Sequence, residues 1–416
     1  MHYNTDRMVF CHLCRRTTLL FLLVVYATSV LPGQSLPERG VPEPDAAADT
    51  SGVLAWQEGG GAFGLPMATE AEAADLLPFP GVDVMMLASM VRSLPPDAPA
   101  TERARILLRA SVLFSGAGPD RQAAAIEAGM AMVDAATATA GTPPYERGKA
   151  LLDLVYGTIS TYREQESRID YALLDGLYNC VSSSTLYAVT ALAAGLEVHG
   201  VATLDHAYVV LVIDGKPVVV ETTNALGYDA KTRTIRTSSG PDGRLVPVIP
   251  ARDTLLDDME LVSLVLRNRA TLDERARRWD SALTLAVDMY GWIPDSALAR
   301  EHLSGRINNL VANDMNSGRY ERAWKRADLA AVRYAEVPEL AELRRTAGAA
   351  LLTEFLRGQS SPEEAMSLVR FAGQSGLVDA AWLERAWAYA YARRVEKLHL
   401  AGDHLGAWTT ATEGLA

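Results

Sequence analysis

Cysteine is scarce in this chain of 416 residues, which contains only three. Cys11 and Cys14 resemble a metal or redox pair only in their spacing, and they lie in the first 29 residues, which read as a removable secretory signal. Cys180 would then be the one cysteine of the mature chain, which excludes an internal disulfide framework. An unpaired thiol in an oxidising compartment is a liability unless it is buried or used.

Long hydrophobic runs are also missing. The apolar run from Thr17 to Tyr26 follows basic residues and precedes the small residues Ala27, Thr28 and Ser29, a pattern that predicts a signal peptide over residues 1–29. The run is short for a membrane span. We therefore expect an exported protein, periplasmic or secreted, without stable membrane insertion after cleavage. An uncleaved signal that tethers the chain to a membrane is the alternative.

Positive charge is in the minority. The 51 acidic and 39 basic side chains give a net charge of −12, and removing three arginines and one aspartate with the signal changes −12 to −14. Such a chain is a poor match for phosphate backbones or anionic lipid, so we expect a protein or peptide as substrate or partner and no nucleic acid. Calcium-ligand and compact metal-ligand patterns are missing, and no cofactor or metal is expected.

The segment from Tyr178 to Asn224 changes its hydrophobic period halfway. Apolar residues recur at steps of three and four over 181–194, which predicts a helix capped by Asn179 and stopped by Gly195. Three β-rich runs follow, at about 198–203, 206–213 and 216–222. The last two runs are joined by Asp-Gly at 214–215, a strong hairpin signal. Cys180 lies in the first turn of the helix, where the helix dipole stabilises a thiolate.

The hairpin sets a register. Pairing Ile213 with Lys216 places Tyr208 opposite Glu221. His206 and Glu221 are then diagonal neighbours on one face, so the carboxylate can orient the imidazole. The imidazole can reach the thiol if the cysteine helix packs on that same face.

A cysteine, a histidine and a carboxylate together are the groups of acyl-transfer catalysis. In the motifs NCVSSS, DHAYVVLVIDG and VVVETTN they follow one another within residues 151–228, and this pattern resembles the transglutaminase-like superfamily, relatives of the papain-like cysteine enzymes. The resemblance implies a cysteine that opens a central buried helix, a histidine that opens a strand and an acid that ends the next strand. It implies Cys180 as nucleophile, His206 as general base and Glu221 as third member, where the family usually has aspartate.

The sequence also offers candidates for the hydrogen-bond donors that would stabilise an oxyanion. A backbone N–H near the cysteine would be one donor, Tyr178 or Asn179 would supply the second, and Tyr208 is a further candidate beside the histidine.

The three triad residues also have alternative, non-catalytic interpretations. A lone buried cysteine is often a small hydrophobe, a lone strand histidine is often a structural residue, and a strand glutamate is often a solvated charge. A metal site is the other alternative, formed by His199, His206 and Glu221.

Breaker residues divide the chain into four expected parts. The signal is followed by a flexible linker over 30–66, rich in Pro, Gly, Ala and acidic residues. Residues 67–250 are expected to form the transglutaminase-like domain, with three or four N-terminal helices and a second hairpin around Asp242-Gly243. The pattern is helical from about Asp253 onward. The expected fold is α+β and mostly helical, with a small antiparallel sheet packed on the cysteine helix and a helical repeat array over 251–416.

A period of 42 residues marks that last part. Ala323, Ala365 and Ala407 are 42 residues apart, and Ala282 lies 41 before the first of them. Residues 318–323 resemble the second helix of a tetratricopeptide repeat, whose period of about 34 is shorter. We predict four such helix pairs, at about 258–295, 296–337, 338–378 and 379–416, that stack and present a groove. Four tryptophans either line this groove or belong to its core: Trp324, Trp382, Trp387 and Trp408.

Two functions fit this organisation. In the first, an exported cysteine enzyme attacks an amide or peptide carbonyl, with hydrolysis favoured over amine transfer because no amine-binding feature is present. The repeats would then bind partner or substrate. In the second, an inactive transglutaminase-like fold and the repeats form a non-catalytic scaffold, and Cys180→Ala leaves function intact.

Overall fold

The computed structural model describes residues 64–231, 235–239 and 245–415. Four features discussed above lie outside these ranges: the expected signal, both amino-terminal cysteines, nearly all of the expected linker and the Asp242-Gly243 turn. None of the helices in the described ranges combines the length and apolarity that crossing a bilayer requires.

Between residues 64 and 156 the structure has five α-helices: α1 (Glu70–Leu76), α2 (Val82–Arg92), α3 (Ala100–Phe114), α4 (Pro119–Thr137) and α5 (Pro144–Tyr156). The count exceeds the expected three or four because Thr69 caps a short extra helix, α1, through a capping box with Glu72. Helices α4 and α5 begin with proline, whose missing N–H has no helical partner at that position anyway.

The cysteine helix is the centre of the fold. The chain runs through β1 (Thr161–Tyr162), α6 (Ile169–Asp175) and β2 (Leu177–Tyr178) into α7 (Cys180–Ala193), and β1 pairs with β2 in parallel. Nearly every residue of α7 is buried, since helices α3, α4 and α5 and the main sheet contact it on different sides. Gly195, with φ of +75°, follows the end of this helix as expected.

The main sheet has the strand order β5-β4-β3-β8, all antiparallel: β3 (Glu197–Ala202), β4 (Ala207–Ile213), β5 (Lys216–Val220) and β8 (Thr254–Leu256). The predicted hairpin register is confirmed, because Ile213 pairs with Lys216. Asp214 and Gly215 have φ of +50° and +74°, the left-handed conformations that a two-residue hairpin turn needs. A separate pair is formed by β6 (Arg236–Ser239) and β7 (Leu245–Val248).

The expectation of a purely helical chain beyond Asp253 is wrong at β8. Thr254–Leu256 pairs with β3 at Gly200, Val201 and Ala202. The helix that follows, α8 (Asp258–Arg275), packs on α3, α7 and β3. Gly200 leaves room for it, since an added Cβ would lie 3.0 Å from Leu261 of α8.

Four helix pairs follow β8, close to the predicted bounds: α8 with α9 (Trp279–Trp292), α10 (Ala297–Asn316) with α11 (Tyr320–Arg333), α12 (Pro338–Gly358) with α13 (Pro362–Ser375), and α14 (Ala380–Leu400) with α15 (His404–Leu415). The recurring alanine is the fourth residue of the second helix in each pair, and it is buried in all four pairs. Small residues there let neighbouring helices approach closely.

The hydrophobic core is continuous across residue 250, the expected domain boundary. One cluster extends from Leu77 to Ala347 and includes α7, the sheet and the first two helix pairs. A second cluster joins Trp324 to helices α12, α13 and α14. The segment around α1 is tied to α11, where Trp324 donates a hydrogen bond to the Pro66 carbonyl and Arg326 to the Leu76 carbonyl, each 2.9 Å long.

Candidate functional site

The start of α7 is fixed by Asn179. Its Oδ1 accepts hydrogen bonds from the backbone N–H groups of Val181 (2.9 Å) and Ser182 (3.2 Å), and its own N–H donates to Ser182 Oγ (2.9 Å). Its Nδ2 donates to the Glu164 carbonyl at 3.0 Å. This capping box places Cys180 as the first residue of the helix, with 9% of its surface exposed.

His206 and Glu221 form an ion pair at the end of the hairpin. The Nε2 atom of His206 lies 2.9 Å from both carboxylate oxygens of Glu221. The hydroxyl of Thr223 donates a further hydrogen bond to Glu221 Oε1 at 2.8 Å. Burial raises the pKa of Glu221, but the hydrogen bonds from His206 and Thr223 outweigh burial and leave this pKa below its ordinary value.

The Cys180 side chain also influences the pKa of the imidazole. The side chain of Cys180 is the largest cause of a rise in the pKa of His206 from 6.5 to about 9, followed by Glu221, while burial opposes the rise. Nε2 is the ring nitrogen that faces the carboxylate. The sulfur and the carboxylate therefore both favour the protonated imidazole. The structure thus pairs His206 with Glu221, and Cys180 is close enough to raise the pKa of His206.

The helix does not pack on the expected face of the hairpin. Thr222, which alternates with Glu221 along the chain, points at the body of α7 and is fully buried. Its Oγ1 lies 3.0 Å from Ser183 Oγ and 2.8 Å from Ser184 Oγ, both on α7. His206 lies just before β4 and Glu221 just after β5, so the ion pair lies beyond the ends of the paired strands.

Three tyrosines pack against one another near the start of α7. Tyr178 makes edge-to-face contacts with Tyr156 and Tyr162, at centroid distances of 6.0 and 5.7 Å. Burial, and next the neighbouring Cys180, raise the pKa of Tyr162. Burial, and next a 3.4 Å contact with the Tyr178 hydroxyl, raise that of Tyr156. The Tyr156 hydroxyl donates to the Thr222 carbonyl at 3.1 Å, which links this cluster to the acid.

The oxyanion candidates differ in what they already bind. The side chain and the backbone N–H of Asn179 are used in the helix cap, so this residue is a poor choice for a donor. Tyr178 carries a hydroxyl close to the site, and the backbone N–H of Cys180 lies at the positive end of the helix. Tyr208 is fully buried and stacks on His206, with ring centroids 6.4 Å apart and planes 21° from parallel. It therefore supports the imidazole.

The alternative metal site has no geometry to support it. His199 lies 3.5 Å from Glu197, away from the His206–Glu221 pair. Over the described ranges, no three potential ligands come together in a way that would hold a metal ion.

Several contributors to the site had no clear signal in the sequence. Thr222, Ser183 and Ser184 lie inside the quoted motifs, but hydroxyl residues there do not reveal which side chain they bind. Tyr156 and Tyr162 precede the cysteine by some twenty residues. The pairing of β1 with β2 brings Tyr162 beside Tyr178, and Tyr156, at the end of α5, contacts Tyr178 and Thr222.

Comparisons with known proteins add little. No protein-family model matches the sequence, and a search of curated proteins found no relative. Among solved structures, the chain is similar to menin with 16% identity over 76% of this chain and 89% of the menin chain, at a TM-score of 0.30. That menin structure is described as revealing the binding site for the Mixed Lineage Leukemia protein. At this TM-score the likeness carries no argument. The class that the fold defines is α+β and mainly helical.

Proposed function

We propose that the protein is a transglutaminase-like cysteine enzyme that acts on amide or peptide carbonyls through Cys180, His206 and Glu221. The observation that carries the proposal is the 2.9 Å pairing of the His206 imidazole with Glu221, and it is supported by the Cys180 side chain at the start of α7, which raises the pKa of that imidazole. Nucleophile, base and orienting acid within reach of one another are the arrangement of acyl-transfer sites.

The chemistry follows from the protonated imidazole. A positive charge beside the sulfur stabilises the thiolate, which attacks the carbonyl carbon and forms a tetrahedral oxyanion near the first turn of α7. As the oxyanion collapses, the C–N bond breaks, His206 gives its proton to the departing amine, and a thioester remains on Cys180. Water, activated by the now neutral imidazole, hydrolyses the thioester. An amine in place of water would give acyl transfer.

Glutamate in place of the usual aspartate is compatible with this role. Both oxygens of Glu221 lie 2.9 Å from Nε2, so the longer side chain reaches the ring, and Thr223 holds one of the oxygens. The carboxylate favours the imidazolium and fixes the ring so that its other nitrogen faces the sulfur.

The test is the rate of Cys180 alkylation by iodoacetamide as a function of pH, in wild type, His206→Ala and Glu221→Gln. A thiol without a cationic neighbour reacts mainly above about pH 8, because only the thiolate is nucleophilic. We expect the wild type to react rapidly at pH 6–7, His206→Ala to lose that reactivity, and Glu221→Gln to be intermediate. Cys180→Ala is the labelling control. Slow reaction of wild type and His206→Ala alike would overturn the proposal.

Two readouts on a generic protein substrate such as casein distinguish hydrolysis from transfer to an amine. Hydrolysis releases ammonia or new amino termini, whereas transfer incorporates a fluorescent primary amine. We expect release to dominate, and both signals to disappear in Cys180→Ala.

A non-catalytic scaffold is the second candidate, and one observation favours it. Only 9% of the surface of Cys180 is exposed, which leaves a substrate little direct access to the sulfur. In that case the four helix pairs would bind a protein partner, and partner capture would persist in Cys180→Ala but fail when the repeat surface is altered.

A further inference from the structure

One position of the 42-residue period differs in its exposure between the helix pairs. The residue directly after the recurring alanine is Leu283, Trp324, Met366 and Trp408 in the four pairs. The first three are 1%, 2% and 6% exposed, whereas Trp408 is 72% exposed. The same position is therefore core in three pairs and surface in the last.

In the second and third pairs, the first helix of the next pair contacts this position. Trp324 is covered by α12, the first helix of the next pair: an added Cβ on Gly348 would lie 3.0 Å from its ring, and Arg344 lies 5.4 Å from the ring centroid. Met366 is approached by α14, whose Arg394 lies 3.9 Å from its sulfur. After α15, the described part of the chain contains no further pair that could cover Trp408.

The face around Trp408 is suited to burial. Leu405, Trp408, Thr409 and Thr412 follow helical spacing, and Leu405 is 78% exposed. The hydroxyl of Thr409 donates to the Leu405 carbonyl (3.0 Å) and that of Thr412 to the Thr409 carbonyl (2.7 Å). Covering these threonines therefore leaves neither hydroxyl without a hydrogen-bond partner.

Charge is also missing from this face. Within residues 404–415, Glu413 is the single Asp, Glu, Lys or Arg residue, at the edge of the face, whereas residues 320–333 of α11 contain six. A chain with a net charge of −12 repels a second copy of itself over most of its surface. A neutral apolar face is where two copies can meet without that repulsion, and depletion of charge is typical of interface cores.

We propose that α15 is a self-association surface, on which two copies of this chain stack their last helix pairs about a two-fold axis, with Trp408 at the centre. The stacking that buries Leu283, Trp324 and Met366 within one chain thereby continues across two chains. Because the face is apolar and uncharged, it is complementary to itself, as a two-fold interface requires.

The experiment measures the molar mass of the full chain by sedimentation velocity over about 1–100 μM, in wild type, Trp408→Glu and Val332→Glu. Val332 is 70% exposed on α11, so it is a matched apolar-to-acid control on another pair. We expect a dimer for wild type and Val332→Glu, and a dissociation constant raised by about thirtyfold or more in Trp408→Glu, as for a tryptophan at an interface centre.

Trp408 is already exposed in the monomer, so the acid does not disturb the fold, and an unchanged far-UV circular dichroism spectrum verifies this. A wild type that stays monomeric at about 100 μM would overturn the proposal, as would a dimer that Trp408→Glu leaves intact. A monomeric wild type would point instead to a helix of another protein as the occupant of this face.

Discussion

Thr222→Val removes the hydroxyl that joins the loop of the acid to the cysteine helix and keeps the shape of the side chain. Thr222 is fully buried, and its Oγ1 lies 3.0 Å from Ser183 Oγ and 2.8 Å from Ser184 Oγ. The two serines retain carbonyl acceptors, Asn179 O at 2.9 Å and Ala207 O at 3.3 Å, so neither is left without a partner. The substitution therefore tests the link itself.

The magnitude follows from two buried hydroxyl hydrogen bonds. Each contributes about 1 kcal/mol net, and no cavity is created, so we expect Thr222→Val to lower the free energy of unfolding by about 1–3 kcal/mol. The link also holds Glu221, the next residue, against His206. We therefore expect the pKa of His206 to fall from about 9 toward its ordinary value.

The assay combines urea unfolding with an NMR titration of His206, and Thr190→Val is the matched control. Thr190 is 1% exposed on the same helix, but its hydroxyl bonds only to the Leu186 and Tyr187 carbonyls of that helix. We expect its loss to change stability by no more than about 0.5 kcal/mol. Equal effects of the two substitutions, with the His206 pKa unchanged in both, would refute the reasoning.

Two other predictions concern the same region. Because folding raises the pKa of His206 from 6.5 to about 9, its contribution to stability is full below pH 6.5 and is lost as pH rises through about 9. Between pH 6 and pH 10, the free energy of unfolding measured with urea should fall by at most about 3 kcal/mol more in wild type than in His206→Ala. Gly227→Ala should destabilise strongly and misplace Glu221, since an added Cβ would lie 2.0 Å from the Glu221 carbonyl oxygen. Gly305→Ala, in a helix with open space around it, should be neutral or stabilise by up to about 1 kcal/mol, and thermal unfolding of both variants distinguishes these outcomes.

The parts of the fold that could be predicted from the sequence are those with strong local signals. Asn179 before the cysteine helix and Asp214-Gly215 between two β-rich runs specify a cap and a turn through their own backbone preferences. The register that follows from the turn brought His206 and Glu221 together correctly. The helix-pair bounds were predictable because the 42-residue period repeats one close helix contact.

What could not be predicted depends on contacts between distant segments. The strand Thr254–Leu256 has only three residues, and its partner Gly200 lies far back in the chain. Strand alternation makes Glu221 and Thr222 face opposite ways, but which of them faces α7 is decided by how the helix packs. The catalytic role of the three site residues stays a prediction.

The junction between sheet and repeats leads to a last prediction, about truncation. Trp292, at the end of the first helix pair, is fully buried, and its ring packs edge-to-face on Phe114 at 5.2 Å. Its indole N–H donates to the Met259 carbonyl, and its own carbonyl accepts a 2.8 Å hydrogen bond from Arg92. The first pair is thus a wall of the core that holds the cysteine helix.

A chain cut after residue 250 would lose that wall together with the strand Thr254–Leu256. It would expose apolar side chains of α3 and α7, and we expect an aggregating product without cooperative unfolding. A chain cut after residue 337 keeps most of the main cluster and loses most of the second one. We expect it to stay soluble and to unfold cooperatively in a thermal scan. A soluble, cooperatively folding 64–250 fragment would contradict this reasoning, because the cysteine helix would then need no support from the helix pairs.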